Sequence, residues 1–76
     1  MIYPIKLEST QDVVKLNNFA ANEDCDLSVS SGNTMIDAKS LLALFTLVGK
    51  TCVLVAPDHL NPKKFMKLIE RMGLTA

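Results

Sequence analysis

The chain has 76 residues, of which 49% are hydrophobic and 21% are charged, and its eight Lys and Arg residues balance eight Asp and Glu residues. This length fits one small domain over residues 1–76 and leaves no room for a second hydrophobic core. A net charge of zero lacks the attraction typical of proteins that bind nucleic acid or anionic membranes. We therefore expect a folded globular domain with neither of these two partners.

Compartment and redox state follow from simple patterns. No unbroken apolar run is longer than five residues, as in 41–45, whereas a membrane span needs roughly 20. The first residues lack the basic start and apolar segment of a signal peptide, which predicts a cytoplasmic protein. Cys25 and Cys52 form no C-x-x-C pair, and we expect both to be buried, reduced thiols in strands.

The first half of the chain predicts a strand, a helix and a hairpin. Residues 2–7 favour a strand, and Pro4 makes it an edge strand or a bulged one. Ser9 and Thr10 can each cap a helix start, and Ser9 with Asp12 three residues later resembles a capping box. The apolar stripe of this helix consists of Val13, Leu16 and Ala20, with Val14 and Phe19 beside it. Residues 22–24 end it.

A hairpin, a short helix and a central strand follow. Residues 25–30 alternate between apolar and polar side chains, and the turn at 31–33 contains Gly32, so 34–38 form the returning strand. Ser40 then begins a strongly apolar helix over 41–48, which Gly49 closes. Residues 51–56 are apolar on both faces, which favours a central position in the sheet.

The last helix has the clearest pattern. Asn61 followed by Pro62 is typical of a helix start, and Gly73 is typical of a helix end. Its apolar positions fall at helical spacing. They are Phe65, Leu68, Ile69 and Met72.

The predicted order is β-α-β-β-α-β-α, an α+β fold with a four-stranded antiparallel sheet and helices on one face. Two architectures share this order, an open-faced β-sandwich and the ferredoxin-like fold. The second helix spans only about 14 Å, at 1.5 Å per residue. Because a ferredoxin-like crossover helix is normally longer, the sandwich is favoured, and the order of the strands separates the two.

The segment from Ser31 to Leu44 resembles the HPr family, the phosphocarrier proteins of the sugar phosphotransferase system. In that family a hairpin turn leads into an Ala-Lys-Ser-aliphatic helix start, and this chain has Ala38, Lys39, Ser40 and Leu41 after its hairpin. The order of elements agrees along nearly the whole chain, and the detailed match covers about residues 27 to 56. The resemblance implies the open-faced sandwich.

The resemblance also implies two functional sites, of which one is missing. HPr proteins accept a phosphoryl group on a histidine, with an arginine nearby, between the first strand and the first helix. This chain has Glu8, Ser9, Thr10, Gln11 and Asp12 there, with neither residue type. Because the reaction needs an imidazole nucleophile and cationic donors, we expect that this chain does not carry phosphate by that route.

The second site of the family is a serine at the head of the second helix, which a dedicated kinase phosphorylates in some bacteria. Ser40 matches it, and the alternative interpretation is that Ser40 only caps the helix. Apolar residues beside this serine contact partners in HPr proteins. The corresponding partner-binding residues here are Lys39, Leu41, Leu42 and Phe45, although a helix this apolar is also consistent with burial in the core.

Two further features permit different interpretations. His59, in a loop, is interpreted as a solvated residue, with a displaced phosphoacceptor as the alternative. Residues 61–76 hold four basic and one acidic side chain, through Lys63, Lys64, Lys67 and Arg71 on the last helix. This basic face is interpreted as the solvated side of an amphipathic helix, and an acidic partner is the alternative.

No pattern predicts an enzyme, a cofactor or a metal site, because paired carboxylates, phosphate-binding glycine loops and zinc spacings are all absent from the sequence. Three hypotheses remain. The first is a regulatory HPr-like protein that binds a phosphotransferase-system component, kinase or regulator through its second helix. The second is a homodimeric assembly module that uses the sheet or the second helix. The third is a phosphocarrier that uses His59.

Overall fold

The computed structural model describes residues 1–23, 26–58 and 61–74, with the side chains of Leu68 and Met72 outside the description. It contains four strands and three α-helices, and a short 3₁₀ turn, Phe45–Leu47, follows the second helix. In chain order they are β1 (Ile2–Leu7), α1 (Thr10–Ala21), β2 (Ser28–Ser31), β3 (Thr34–Asp37), α2 (Leu41–Leu44), β4 (Lys50–Val55) and α3 (Pro62–Met72).

The strands form one antiparallel sheet in the order β1-β4-β2-β3. The prediction of an α+β fold with a four-stranded antiparallel sheet is therefore confirmed. Pro4, which has no N–H to donate, lies in the edge strand β1, as expected. The strand β4 lies between β1 and β2, as its apolar side chains on both faces predicted.

One face of the sheet carries the core. Cys52 and Leu54 of β4 are buried there, and their register partners Ile5 and Val29 are buried with them. The helices contribute buried side chains to the same core. These are Val13, Leu16, Phe19 and Ala20 from α1, Leu44 from α2, and Phe65 and Ile69 from α3.

The ends of the two long helices follow the predicted capping patterns. Ser9 Oγ accepts a hydrogen bond from the N–H of Asp12 at 3.4 Å. The carboxylate of Asp12 accepts from the N–H of Glu8, one residue earlier than in the usual capping box. In α3, Asn61 Oδ1 accepts from two first-turn N–H groups, and Gly73 ends the helix with a left-handed φ of 67°.

The second helix is shorter than predicted. Residues 41–48 were expected to form one helix, but the α-helix ends at Leu44 and a 3₁₀ turn completes the segment. Thr46 Oγ1 donates to the carbonyl of Ala43 in this turn. The N–H of Gly49, which has a φ of 86°, then donates to the carbonyl of Leu7 at 2.6 Å. Because this bond joins the chain to β1, the helix has no room to continue.

Four smaller expectations are corrected. The strand predicted over 25–30 begins only at Ser28, and Cys25 lies outside the described residues. The strand predicted over 51–56 begins at Lys50 and ends at Val55, and the strand predicted over 34–38 ends at Asp37. Val14 is 41% exposed, because it is rotated by about 100° from the buried Val13.

Phe65 connects three elements of the core, which makes it a good test of the packing. Its ring lies 6.4 Å from that of Tyr3 on β1 in an edge-on arrangement, and 6.3 Å from that of Phe19 on α1.

We expect Phe65→Leu to lower the free energy of unfolding by about 2 kcal/mol, through lost volume and lost aromatic pairs. Urea denaturation measures this. The exposed neighbour Met66 provides the control, since Met66→Leu should cost less than about 0.5 kcal/mol; equal losses would contradict the packing described.

Candidate functional site

The residues singled out at the second helix are held by a tight turn after β3. The N–H of Ala38 donates to the carbonyl of Leu27, and Asn17 of α1 donates from its side chain to the carbonyl of Ala38 at 3.2 Å. The side chain of Asp37 accepts from the N–H of Lys39, and its carbonyl accepts from the N–H of Ser40. This turn fixes where α2 begins.

Ser40 occupies the N-cap position of α2, but its hydroxyl makes no capping hydrogen bond. Its φ and ψ of −93° and 90° differ from those of Ser9, whose side chain does cap α1. Ser40 is exposed, and its carbonyl accepts from the N–H of Leu44. Ser40 therefore lacks the side-chain hydrogen bond that defines a helix cap. Its hydroxyl is available to another molecule.

The apolar side chains around Ser40 divide into two groups. Leu42 is 83% exposed and Leu41 is 37% exposed, whereas Leu44 and Leu47 are buried. Phe45 is half-buried and packs against the core. We call the set Lys39, Ser40, Leu41, Leu42 and Phe45 the α2 surface. One side of this helix is therefore buried in the core and the other side is exposed; partner binding by the exposed side stays a prediction.

The segment between β1 and α1 is short and its polar side chains face solvent or take part in the helix cap. Glu8, Thr10 and Gln11 are exposed, and Lys6 lies 3.6 Å from the carboxylate of Glu8. The Ser9 hydroxyl and the Asp12 carboxylate are used in the helix cap. Two carboxylates here disfavour the approach of a phosphorylated donor, because like charges repel.

The pKa shifts in the described residues have ordinary causes. Burial raises the pKa of the Cys52 thiol, although a hydrogen bond with Ser31 and the charge of Lys50 oppose this effect. Cys52 is a free, buried thiol, as predicted. The N-terminal ammonium group, 2.9 Å away, lowers the pKa of Asp58. His59, the alternative phosphoacceptor, lies outside the described residues.

Two surfaces have a composition that the sequence only hinted at. The face of the sheet opposite the core contains exposed apolar residues, among them Ile2, which is 73% exposed, and Met35, which is 61% exposed. The sequence pattern that could have predicted this exposed apolar face is the presence of apolar residues on both faces of β4. The second surface is a basic groove on α3. The run of lysines predicted its charge but not the presence of a groove.

Comparison of the chain with protein-family models, curated proteins and solved structures finds no match. Within residues 1–23, 26–58 and 61–74, no three His, Cys, Asp or Glu side chains are grouped as metal ligands would be. In the same residues, no helix has the length and hydropathy to cross a membrane.

The different roles of two N-cap residues can be measured. Ser40→Ala should change the free energy of unfolding by less than about 0.5 kcal/mol, because no capping bond is lost. Asn61→Ala should cost about 1 kcal/mol or more, because its side chain accepts from Lys63 and Lys64. Urea denaturation of both variants makes the comparison. A larger loss for Ser40→Ala than for Asn61→Ala would mean that the Ser40 hydroxyl does cap α2.

Proposed function

We propose that this chain is a cytoplasmic HPr-like protein that binds a component of the sugar phosphotransferase system, and that it does not carry phosphate on a histidine. The observation that carries the proposal is the 83% exposure of Leu42 close to Ser40, an exposed residue whose hydroxyl makes no capping hydrogen bond. Leu41 is also exposed and Phe45 is half-buried, so with Leu42 they offer apolar surface of the kind that a partner protein covers.

The sheet supports the HPr-like sandwich over the ferredoxin-like alternative. The observed order β1-β4-β2-β3 leaves β1 at an edge, whereas the ferredoxin-like arrangement places its first strand inside the sheet. The four-residue α2 is also too short for a ferredoxin-like crossover helix. The Lys39-Ser40-Leu41 sequence follows the β2–β3 hairpin, which is where the resemblance to HPr proteins requires it.

The contacts between β1 and α1 support the loss of carrier activity. A phosphocarrier needs a nucleophile whose pKa permits attack near neutral pH, and groups that neutralise the incoming phosphoryl oxygens. Ser9 already accepts a hydrogen bond from the N–H of Asp12, and the carboxylates of Glu8 and Asp12 flank it. A phosphoryl group would meet negative charge there.

Phosphorylation of Ser40 would act directly on the α2 surface. A phosphoserine adds about −1.5 to −2 charges at neutral pH. Placed between Lys39 and the exposed Leu41 and Leu42, it would add a hydrated anion to an apolar contact. The expected consequence is a change of partner affinity on phosphorylation.

Intact mass after two parallel incubations tests this function. One reaction contains phosphoenolpyruvate with enzyme I, and the other contains ATP with an HPr kinase. We expect one phosphoryl adduct with the kinase and none with enzyme I, and Ser40→Ala should abolish the adduct. Leu42→Asp should slow the kinase reaction about tenfold by removing a docking contact. Val14→Asp, which changes a similarly apolar exposed residue on α1, should leave the rate unchanged.

The opposite results are equally informative. An adduct with enzyme I would contradict the loss of carrier activity, and its disappearance in His59→Ala would identify the acceptor. No adduct in either reaction would remove Ser40 as a regulated site. Equal slowing by Leu42→Asp and Val14→Asp would show that the α2 surface is not where the kinase docks.

The open face of the sheet favours a homodimer as the second candidate function. One row across its four strands consists of Pro4, Val53, Ser30 and Met35, and it contains no charged residue. The neighbouring row consists of Ile2, Val55, Ser28 and Asp37, so its charge lies at the β3 edge. Antiparallel sheets usually present polar residues to water, whereas the centre of this face presents Pro4, Val53 and Met35. A second copy offers the same face, and two such faces pack about 10 Å apart.

Sedimentation velocity over a range of concentrations tests the homodimer. A dimer through the sheet should dissociate in Met35→Lys, because the charge would lie between two apolar faces, and it should persist in Leu42→Lys. Dissociation in Leu42→Lys alone would place the contact on the α2 surface instead. A monomer at micromolar concentration would exclude obligate assembly.

A further inference from the structure

The helix α3 contains a groove whose lining is strongly basic. The groove has a volume of about 360 Å³ and is lined by Asn61, Lys63, Lys64, Lys67 and Arg71. All five residues are exposed. Small-molecule sites occupy roughly 300–1,000 Å³, so the groove has the size of a ligand site.

The spacing of the cations is unfavourable for the protein alone. Lys63, Lys67 and Arg71 recur every four residues, which places them on one face of α3 at steps of about 6 Å along its axis. Like charges at this spacing destabilise a helix. The ion pairs found within the described part of the chain lie elsewhere, at Met1 and at Lys6. The one carboxylate of α3, that of Glu70, does not line the groove.

The helix dipole adds to the excess of positive charge. Lys63 and Lys64 lie in the first turn of α3, at the positive end of the dipole, and no acidic residue lies in that turn. The N–H groups of both lysines already donate to Asn61 Oδ1, at 3.0 and 3.4 Å. The side-chain ammonium and guanidinium groups are therefore the groups left to receive an anion.

We propose that this groove binds a small molecule that carries at least two phosphate groups. Two phosphate monoesters bring about −1.5 to −2 charges each, which matches four cations. The cations extend over about 12 Å, a length that suits a compact ligand. Lysine and arginine donate strong, charge-assisted hydrogen bonds to phosphate oxygens.

A compact ligand fits better than a nucleic acid. The chain as a whole is neutral, and its first sixty residues hold four basic and seven acidic side chains, which would repel a long polyanion. Single-stranded nucleic acids also need exposed aromatic rings for stacking. In the described residues, Tyr3 and Phe45 are half-buried, and Phe19 and Phe65 are buried. This proposal does not rest on the function assigned to the α2 surface, because the two surfaces share no residue.

Titration calorimetry at low salt with inorganic tripolyphosphate tests the groove. We expect one site per chain, and about tenfold weaker binding in Lys67→Gln/Arg71→Gln, which removes two phosphate contacts. Lys15→Gln/Lys50→Gln is the matched control, because it removes the same charge from exposed positions on α1 and β4. This control should bind within about twofold of the unmodified protein. Circular dichroism verifies that both variants are folded.

Amide chemical shifts locate the site independently, and the expected changes are concentrated in α3. The absence of tripolyphosphate binding would overturn the proposal, as would equal weakening in the two double variants. A single-stranded DNA or a polyglutamate peptide that binds more tightly than tripolyphosphate would assign the groove to a macromolecular polyanion instead.

Discussion

The insertion of β4 between β1 and β2 is the constraint on which the rest of the molecule depends. The hairpin β2–β3 forms from neighbouring residues, but β1 joins the sheet only through β4, which is about fifty residues away in sequence. The ladder between β1 and β4 runs from Ile2 paired with Val55 to Leu7 paired with Lys50. Without it, the buried Ile5 and Leu7 would have no sheet to pack in.

This insertion also explains why α2 is short and why its surface is apolar. The chain leaves β3 at one edge and must cross only β2 to reach β4, a sideways distance of roughly 10 Å. A four-residue helix and a 3₁₀ turn cover that distance. Leu44 and Leu47 are buried and Phe45 and Val48 pack partly against the core, whereas Leu41 and Leu42 at the start of the segment remain exposed. The exposed α2 surface is thus a consequence of the topology.

The sequence was most informative where one local pattern decides the structure. Pro4 at an edge, Ser9 and Asn61 as caps, and Gly73 as a helix end depend on the chemistry of a few adjacent residues. The length of α2 could not be predicted in this way, because its end depends on the bond from Gly49 to Leu7, which are far apart in the chain. The sequence also could not show that the Ser40 hydroxyl makes no capping hydrogen bond. The side chain and the carbonyl of Asp37 accept the hydrogen bonds of the turn instead.

The neutral total charge conceals a separation of chemistry on the surface. In the described part of the chain no buried residue is polar or charged, so ionic groups lie outside the core. The α2 surface is apolar apart from Lys39 and Ser40, and the groove on α3 carries four cations. The helix α1 packs against both elements, through Asn17 toward the turn before α2 and through Phe19 toward α3. Because the two surfaces share no residue, substitutions at one of them test its role without altering the side chains of the other.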